Sequence, residues 1–319
     1  MRAVSRALSA DAGRKATRMT TRAPLSTPAA TLVGLIAIAL WALLALFTAA
    51  SGTVPPFQLA AMTFAVGGSL GVVSWLVRPG GLAALRQPPK VWVLGVGGLF
   101  GYHALYFAAL RLAPPAEAGL VNYLWPLLIV VFSGLLPGER LRPSHVAGAL
   151  IAFAGVVALS YGSDLAARPE HVPGYVCAFA GAFVWAGYSV LSRRVASVPT
   201  DAVAGFCLAT AALSLACHLA FETTVWPADA TQWLAVLALG LGPVGAAFYA
   251  WDVGMKRGDL RLLGVLSYAT PLLSTAALIA AGYAEATLTL AVACALIVTG
   301  ALVAASDKFA RRPQTTQYS

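Results

Sequence analysis

Two short stretches of this chain carry side chains that could do chemistry on a small molecule. "FGYHALYF" (100–107) sets Tyr102 and Tyr106 four residues apart on one helical face, with the imidazole of His103 beside them. "VNYLWPLL" (121–128) places the amide of Asn122 next to Tyr123, Trp125 and Pro126. Gly119, Asn122, Tyr123 and Pro126 share a face, whereas Trp125 lies roughly 200° around an ideal helix from Tyr123. Later in the chain Phe248, Tyr249, Trp251 and Tyr268 stand at similar depths, and Trp41 and Trp185 fall mid-run. Aromatic rings stack on a substrate ring or hold an ammonium by cation–π attraction. A carboxylate can use the positive end of a helix dipole instead of a full charge. The set suits a zwitterion with an apolar side chain and selects no particular amino acid.

Other chemistry is excluded by what these stretches lack. No Lys or Arg lies at the centre of an apolar run, and Glu117, Asp252 and Glu285 sit near run ends. That argues against a strongly anionic or dicationic substrate and against a carboxylate proton relay. His103 has no partner visible in sequence that would make a nucleophile–base pair, and no His/Glu metal spacing occurs, so an enzyme, a metal or a cofactor is not expected. Asp252 and Lys256, one turn apart, read as an interface pair, and His218 as an interface group. Cys177, Cys207, Cys217 and Cys294 lie inside apolar runs and read as packing residues. The plainer reading stays open for the rings: mid-run Tyr and Trp can line a cavity or pack helix on helix, and His103 can be a satisfied packing histidine. Trp75, Trp92, Trp226 and Trp233, near run ends, read as the interfacial aromatic belt.

The elements that must position these groups follow from composition. Of 319 residues, 59% are hydrophobic and 10% charged, far from the roughly 25% charge of soluble domains. Ten apolar runs of membrane-spanning length occur near 30–50, 57–77, 91–111, 116–136, 143–161, 173–192, 202–221, 231–254, 261–283 and 286–306. Residues 1–28 form a basic tail expected to be disordered, with Met19 an alternative start, and residues 308–319 a C-terminal tail. The tail with the first run imitates a signal peptide, but nine further runs favour a retained anchor. With a cytoplasmic N-terminus, 19 of the 21 Lys and Arg fall inside and only Arg111 and Arg168 outside, so both termini are expected in the cytoplasm. The net charge of +9 is thereby a topology signal, not a nucleic-acid footprint; the partners expected are a lipid bilayer and a small molecule.

The chain also reads as two copies. At a shift of 145, "YLWPLL" (123–128) lies over "YATPLL" (268–273), Tyr106 over Trp251 and Arg111 over Lys256; a shift of 144 puts Trp41 on Trp185. Five runs per copy is odd, so the second copy enters the membrane from the other side. The predicted fold is an all-α membrane protein: ten transmembrane helices as two inverted five-helix repeats, 29–161 and 173–307. Paired interrupted helices are the pointer to a binding site in such folds. Candidate breaks are Gly101 in "GVGGLFG" (95–101) with Pro243 in "GLGPVG" (240–245), and Pro126 with Pro271. Irregular backbone at membrane depth is tolerated only where protein or a watery cavity satisfies it. The spacings Gly148–Ala152 and Gly300–Ala304 would let helices approach closely.

"NYLWPLLIVVF" (122–132), "GERL" (138–141) and "GALIAFAGVVAL" (148–159), set in two five-helix copies, resemble the drug/metabolite transporter superfamily with paired EamA domains. "YHALYFAAL" (102–110) and "LVNYLWPLL" (120–128) look more narrowly like the aromatic amino acid exporters of bacterial inner membranes. The resemblance covers about 30–306. It implies export of Phe, Tyr, Trp and other neutral amino acids, with cationic toxins such as methyl viologen as further cargo. By matching those stretches it implies cavity roles for Tyr102, His103, Tyr106, Tyr123 and Trp125, and by mid-helix placement for Trp185. Asn122, Trp251 and Tyr268 complete the candidate site from the residue reading. Thr270 stands where the first copy has Trp125, so the halves cannot contribute equally. Rival readings are a multidrug or other metabolite exporter of the same fold, an intramembrane enzyme, and a receptor or scaffold. A monomer is the expected form, with a dimer and the mode of energy coupling left open.

Overall fold

The computed structural model describes residues 25–77, 81–138, 140–159, 169–280 and 287–310. Most of the tail 1–28, the end of the C-terminal tail, Arg168 and Glu285 lie outside these residues. Among the described residues all regular structure is helical. In chain order the helices are α1 Thr27–Trp41, α2 Leu44–Ala50, α3 Pro56–Val77, α4 Pro89–Leu112, α5 Pro115–Asn122, α6 Trp125–Ser133 and α7 Pro143–Leu159. The later ones are α8 Val172–Ser192, α9 Ala202–Phe221, α10 Ala230–Leu241, α11 Ala247–Arg257, α12 Leu260–Leu266, α13 Ala269–Ala280 and α14 Leu288–Ala310. Prolines open α3, α4, α5 and α7, where a missing N–H costs nothing. Aspartates cap α10 and α12: Asp229 accepts from Gln232 N–H (2.9 Å) and Asp259 from Leu262 N–H (3.0 Å).

Among the described residues, six helical stretches are long and apolar enough to cross a membrane, and four further apolar stretches are shorter. Large apolar side chains face outward, Leu219 and Leu288 being 72% and 82% exposed. In water such a surface would aggregate; in lipid it is the solvated face. The protein is a multi-pass membrane protein.

Helices pack in an ordered scheme. α3 lies on α9 and α7 on α14, while α4 on α8 is matched by α11 on α1. The small residues on α7 and α14 explain one of these contacts. A Cβ added to Gly148 would sit 2.5 Å from the Gly300 carbonyl oxygen, and one added to Gly300 would sit 2.5 Å from that of Gly148. The two backbones touch reciprocally, with Ala152 and Ala304 flanking the contact as their spacing implied.

Breaks fall inside several spans. α5 gives way to α6 at 123–124, beside Pro126, and α12 to α13 at 267–268, beside Pro271. α10 passes into a π turn, Gly242–Ala246, that contains Pro243. The break between α1 and α2, at 42–43, carries no proline or glycine and was not anticipated. One expectation fails: α4 runs unbroken through Gly101. Glycine keeps its N–H, so the ladder survives, and two other glycines of α4 serve packing instead. Gly95 receives the ring of Phe206 and Gly98 that of Tyr188, at sites where a Cβ would lie within 2.6 Å of ring atoms. Its counterpart span breaks because Pro243 has no N–H to donate.

Candidate functional site

The breaks surround a cavity of about 560 Å3. One wall is aromatic and comes from α4, α5 and α6: Tyr102, His103, Tyr106, Phe107, Tyr123 and Trp125, with Asn122 among them. Tyr102 and Tyr106, neighbours on one face by their four-residue spacing, lie parallel, 6.0 Å between centroids with 2° between planes. Asn122 Nδ2 donates to the Tyr102 hydroxyl (2.9 Å) and ties α5 to α4. Further lining comes from α2 and α13, which present Thr48, Thr270 and Ser274.

His103 has a defined tautomer. Its Nδ1 is 2.7 Å from the Leu99 carbonyl oxygen, which can only accept, so Nδ1 carries the hydrogen. Nε2 is left with a lone pair for a donor. The ring is held edge-on by Phe64 at 4.9 Å and Tyr102 at 5.1 Å.

A group of four indoles closes one end. Trp41, Trp125, Trp185 and Trp251 come from α1, α6, α8 and α11, and every pair lies within 6.3 Å, centroid to centroid. Phe248 adds to them against Trp41 and Trp185. The first three indoles line the cavity; Trp251 is buried behind them, its Nε1 donating to Ser189 Oγ (3.0 Å).

The broken helices are satisfied from the opposite half of the chain. The hydroxyl of Tyr268 accepts from Leu127 N–H (3.1 Å), a donor in the first turn of α6. Trp41 Nε1 donates to the Pro243 carbonyl (3.0 Å) in the π turn. These two backbone groups thus find protein partners at membrane depth.

Of the nine candidate contact residues, the structure brings Tyr102, His103, Tyr106, Asn122, Tyr123, Trp125 and Trp185 to the cavity. Trp251 and Tyr268 stand one layer back, fully buried. Pro243 lines the cavity, Pro126 and Pro271 mark breaks beside it, and Gly101 does neither. Sequence reasoning left Phe107, Thr48 and Ser274 unassigned, noted Thr270 only as the counterpart of Trp125, and placed Trp41 and Phe248 at cavity depth without adding them to the candidate site. Helical spacing could have found them: Phe107 is four residues after His103, Ser274 four after Thr270, and Trp41 is the mate of Trp185 in the repeat.

Two charge clusters stand at the ends of the bundle, away from the cavity. At one, Lys256 and Asp252 form the anticipated pair (2.8 Å), both buried; Thr200 Oγ1 donates to Asp252 (2.7 Å) and Lys256 Nζ to the Val198 carbonyl (2.9 Å). At the other, Glu222 is held by Arg111 (2.7 Å) and His218 (3.0 Å).

Comparisons with known proteins agree with this architecture. The pattern of the EamA-like transporter family matches residues 28–161 and again residues 172–306. The chain is 62% identical over 282 residues to the aromatic amino acid exporter YddG of Ancylobacter novellus, covering 88% of this chain and 98% of that protein. It is 31% identical to the aromatic amino acid exporter YddG of Escherichia coli, over 77% of this chain and 86% of that one. Pseudopaline exporter CntI of Pseudomonas aeruginosa is 30% identical, over 62% and 68% of the two chains. A solved crystal structure of 60% identity superposes with a TM-score of 0.86, covering 90% of this chain and 100% of that one. With the family pattern spanning both halves that enclose the cavity, the chain belongs to the EamA-like transporter family.

Proposed function

We propose that this protein is an inner-membrane secondary exporter of aromatic and related neutral amino acids, in keeping with its relatives named aromatic amino acid exporter YddG. The observation that carries the reading is the cavity wall: rings and uncharged polar groups, with no Lys, Arg, Asp or Glu among the described lining residues. A zwitterion carries no net charge, and such a site need not supply any. Tyr102, Tyr106 and Trp185 offer stacking faces for a substrate ring. His103 Nε2, an acceptor, suits the substrate's ammonium, an indole N–H or a phenol O–H.

The reading includes two inverted five-helix repeats, 29–161 and 173–307, with both termini cytoplasmic. The packing scheme supports it, because exchanging the halves maps α3·α9 and α7·α14 onto themselves and α4·α8 onto α11·α1. In that orientation the lining residues Thr48, Tyr106 and Leu110 lie toward the outer face, so the cavity faces outward. The four indoles and the Lys256–Asp252 pair close the inner side. Rocking of the two bundles around the cavity would then carry substrate across, with a single chain as the working unit and no cofactor required.

The test is purified protein in liposomes, offered a panel of labelled amino acids with and without an imposed pH gradient. Saturable uptake of Trp, Phe and Tyr over charged amino acids is expected. Uptake restricted to organic cations, without competition by amino acids, would make the protein a multidrug exporter instead.

A further inference from the structure

The outer end of the bundle holds a buried carboxylate that substrate contact does not use. Glu222, just after α9, has a side chain only 2% exposed. Its Oε1 accepts from Phe57 N–H (3.0 Å) and from Arg111 Nη2 (2.7 Å). Its Oε2 accepts from Gln58 N–H (3.1 Å) and lies 3.0 Å from His218 Nδ1. His218 Nε2 in turn meets Thr224 Oγ1 at 2.9 Å, and Gln58 Oε1 accepts from Val225 N–H at 2.9 Å. One carboxylate thus joins three helix ends: the first turn of α3, the last turn of α4 and the close of α9. It also satisfies two first-turn N–H groups of α3 that would otherwise be buried without a partner.

The junction connects to the cavity through rings. The Phe57 ring meets Phe107 edge-on at 5.6 Å, and the Arg111 guanidinium stands 6.0 Å from the centroid of Phe57. Phe107 lines the cavity one turn below Arg111 and contacts His103 at 6.0 Å. Helix α4, which carries Tyr102, His103, Tyr106 and Phe107, makes few direct contacts with α3. Glu222 supplies a polar tie between them. The counterpart at the inner end is built differently: Lys256, the repeat mate of Arg111, pairs with Asp252 on its own helix. The Glu222 tie is therefore an addition to the shared repeat plan.

We propose that Glu222 is a positioning residue for transport: through Arg111 and the Phe57–Phe107 contact it holds α4 against α3 and α9 and so favours the arrangement with the outer mouth open. This rests on the transport reading above. It predicts an effect on exchange between states, with little on substrate affinity, since the carboxylate does not reach the cavity.

The experiment uses full-length protein carrying Ser274→Cys as a cavity reporter, labelled from outside by a membrane-impermeant maleimide, with the reporter-free protein as background. Glu222→Gln and Arg111→Gln are each expected to slow labelling about five-fold as the population leaves the open state, and the double variant to slow it no further. In the same variants without the reporter, the maximal rate of Trp uptake falls while KM stays within about two-fold. Melting in detergent checks the fold. Should Glu222→Gln not fold, Arg111→Gln decides alone, because the Arg111 side chain is 45% exposed and its loss leaves the α3 cap in place. Unchanged or faster labelling with an unchanged maximal rate would overturn the proposal, as would additive effects of the two substitutions. If wild type takes up no amino acid, the substrate reading fails, and the labelling rates still decide the role of Glu222.

Discussion

Tyr268 and Tyr106 are both mid-span tyrosines, one on each half of the chain, yet the structure gives them different work. Tyr106 presents its ring to the cavity, whereas Tyr268 is fully buried with its hydroxyl on Leu127 N–H. Tyr268→Phe should therefore lower stability by about 1 kcal/mol, the loss of one buried hydrogen bond, and leave the KM for Trp unchanged. Thermal unfolding in detergent alongside uptake kinetics checks this. A raised KM with unchanged melting would place Tyr268 in the site after all. Residue types at mid-span depth were enough to pick out rings of interest. They could not separate a wall from the layer behind it, because that depends on which way a helix is rotated. Trp251 and Tyr268 fell on the far side for that reason. Thr48, Thr270 and Ser274 went without a site role because a hydroxyl in an apolar helix commonly bonds its own backbone, as Thr31, Thr63 and Ser267 do here.

Proline and glycine separate cleanly among the helices. Proline-bearing spans broke at Pro126, Pro243 and Pro271, because a lost N–H is a local chemical fact readable from one residue. Gly101 did not break α4, because glycine only permits what its neighbours demand. In α4 the neighbours demand room: Gly95 and Gly98 take rings from Phe206 and Tyr188. Gly97 faces open space, so Gly97→Ala should be neutral or slightly stabilising, by up to about 1 kcal/mol. Gly148→Leu should prevent recovery of monodisperse protein, since its Cβ would press on the backbone of α14. Size-exclusion profiles of the two variants, made side by side, check both. The break between α1 and α2 had no sequence signal; it sits where Trp41 turns its indole to the Pro243 carbonyl, a contact 202 residues away. Long-range contacts of that kind are what a reading of single runs omits.

At the scale of the whole molecule, an all-helical chain with many apolar spans and a duplicated domain was legible because lipid imposes length and polarity limits on each span. The two halves then differ in what they give the cavity. The first supplies most of the rings, and the second supplies Trp185, Phe248, Thr270 and Ser274. That asymmetry follows from Trp125 standing opposite Thr270 in the repeat. The rocking mechanism proposed above predicts that Trp uptake into liposomes proceeds down a concentration gradient in either direction. Trace labelled Trp added outside vesicles loaded with excess unlabelled Trp should accumulate transiently by counterflow.

The claim on which the rest stands is that the ring-lined cavity is the passage for an aromatic amino acid. Its most direct measurement is saturable uptake of labelled Trp by proteoliposomes bearing wild type or Trp185→Ala, whose indole lines the cavity and stacks on Trp251 behind it. Uptake should be inhibited by Phe and Tyr in wild type and be lost in the variant, with the helical content and elution profile of the two proteins alike. Equal uptake by Trp185→Ala and wild type would contradict the account.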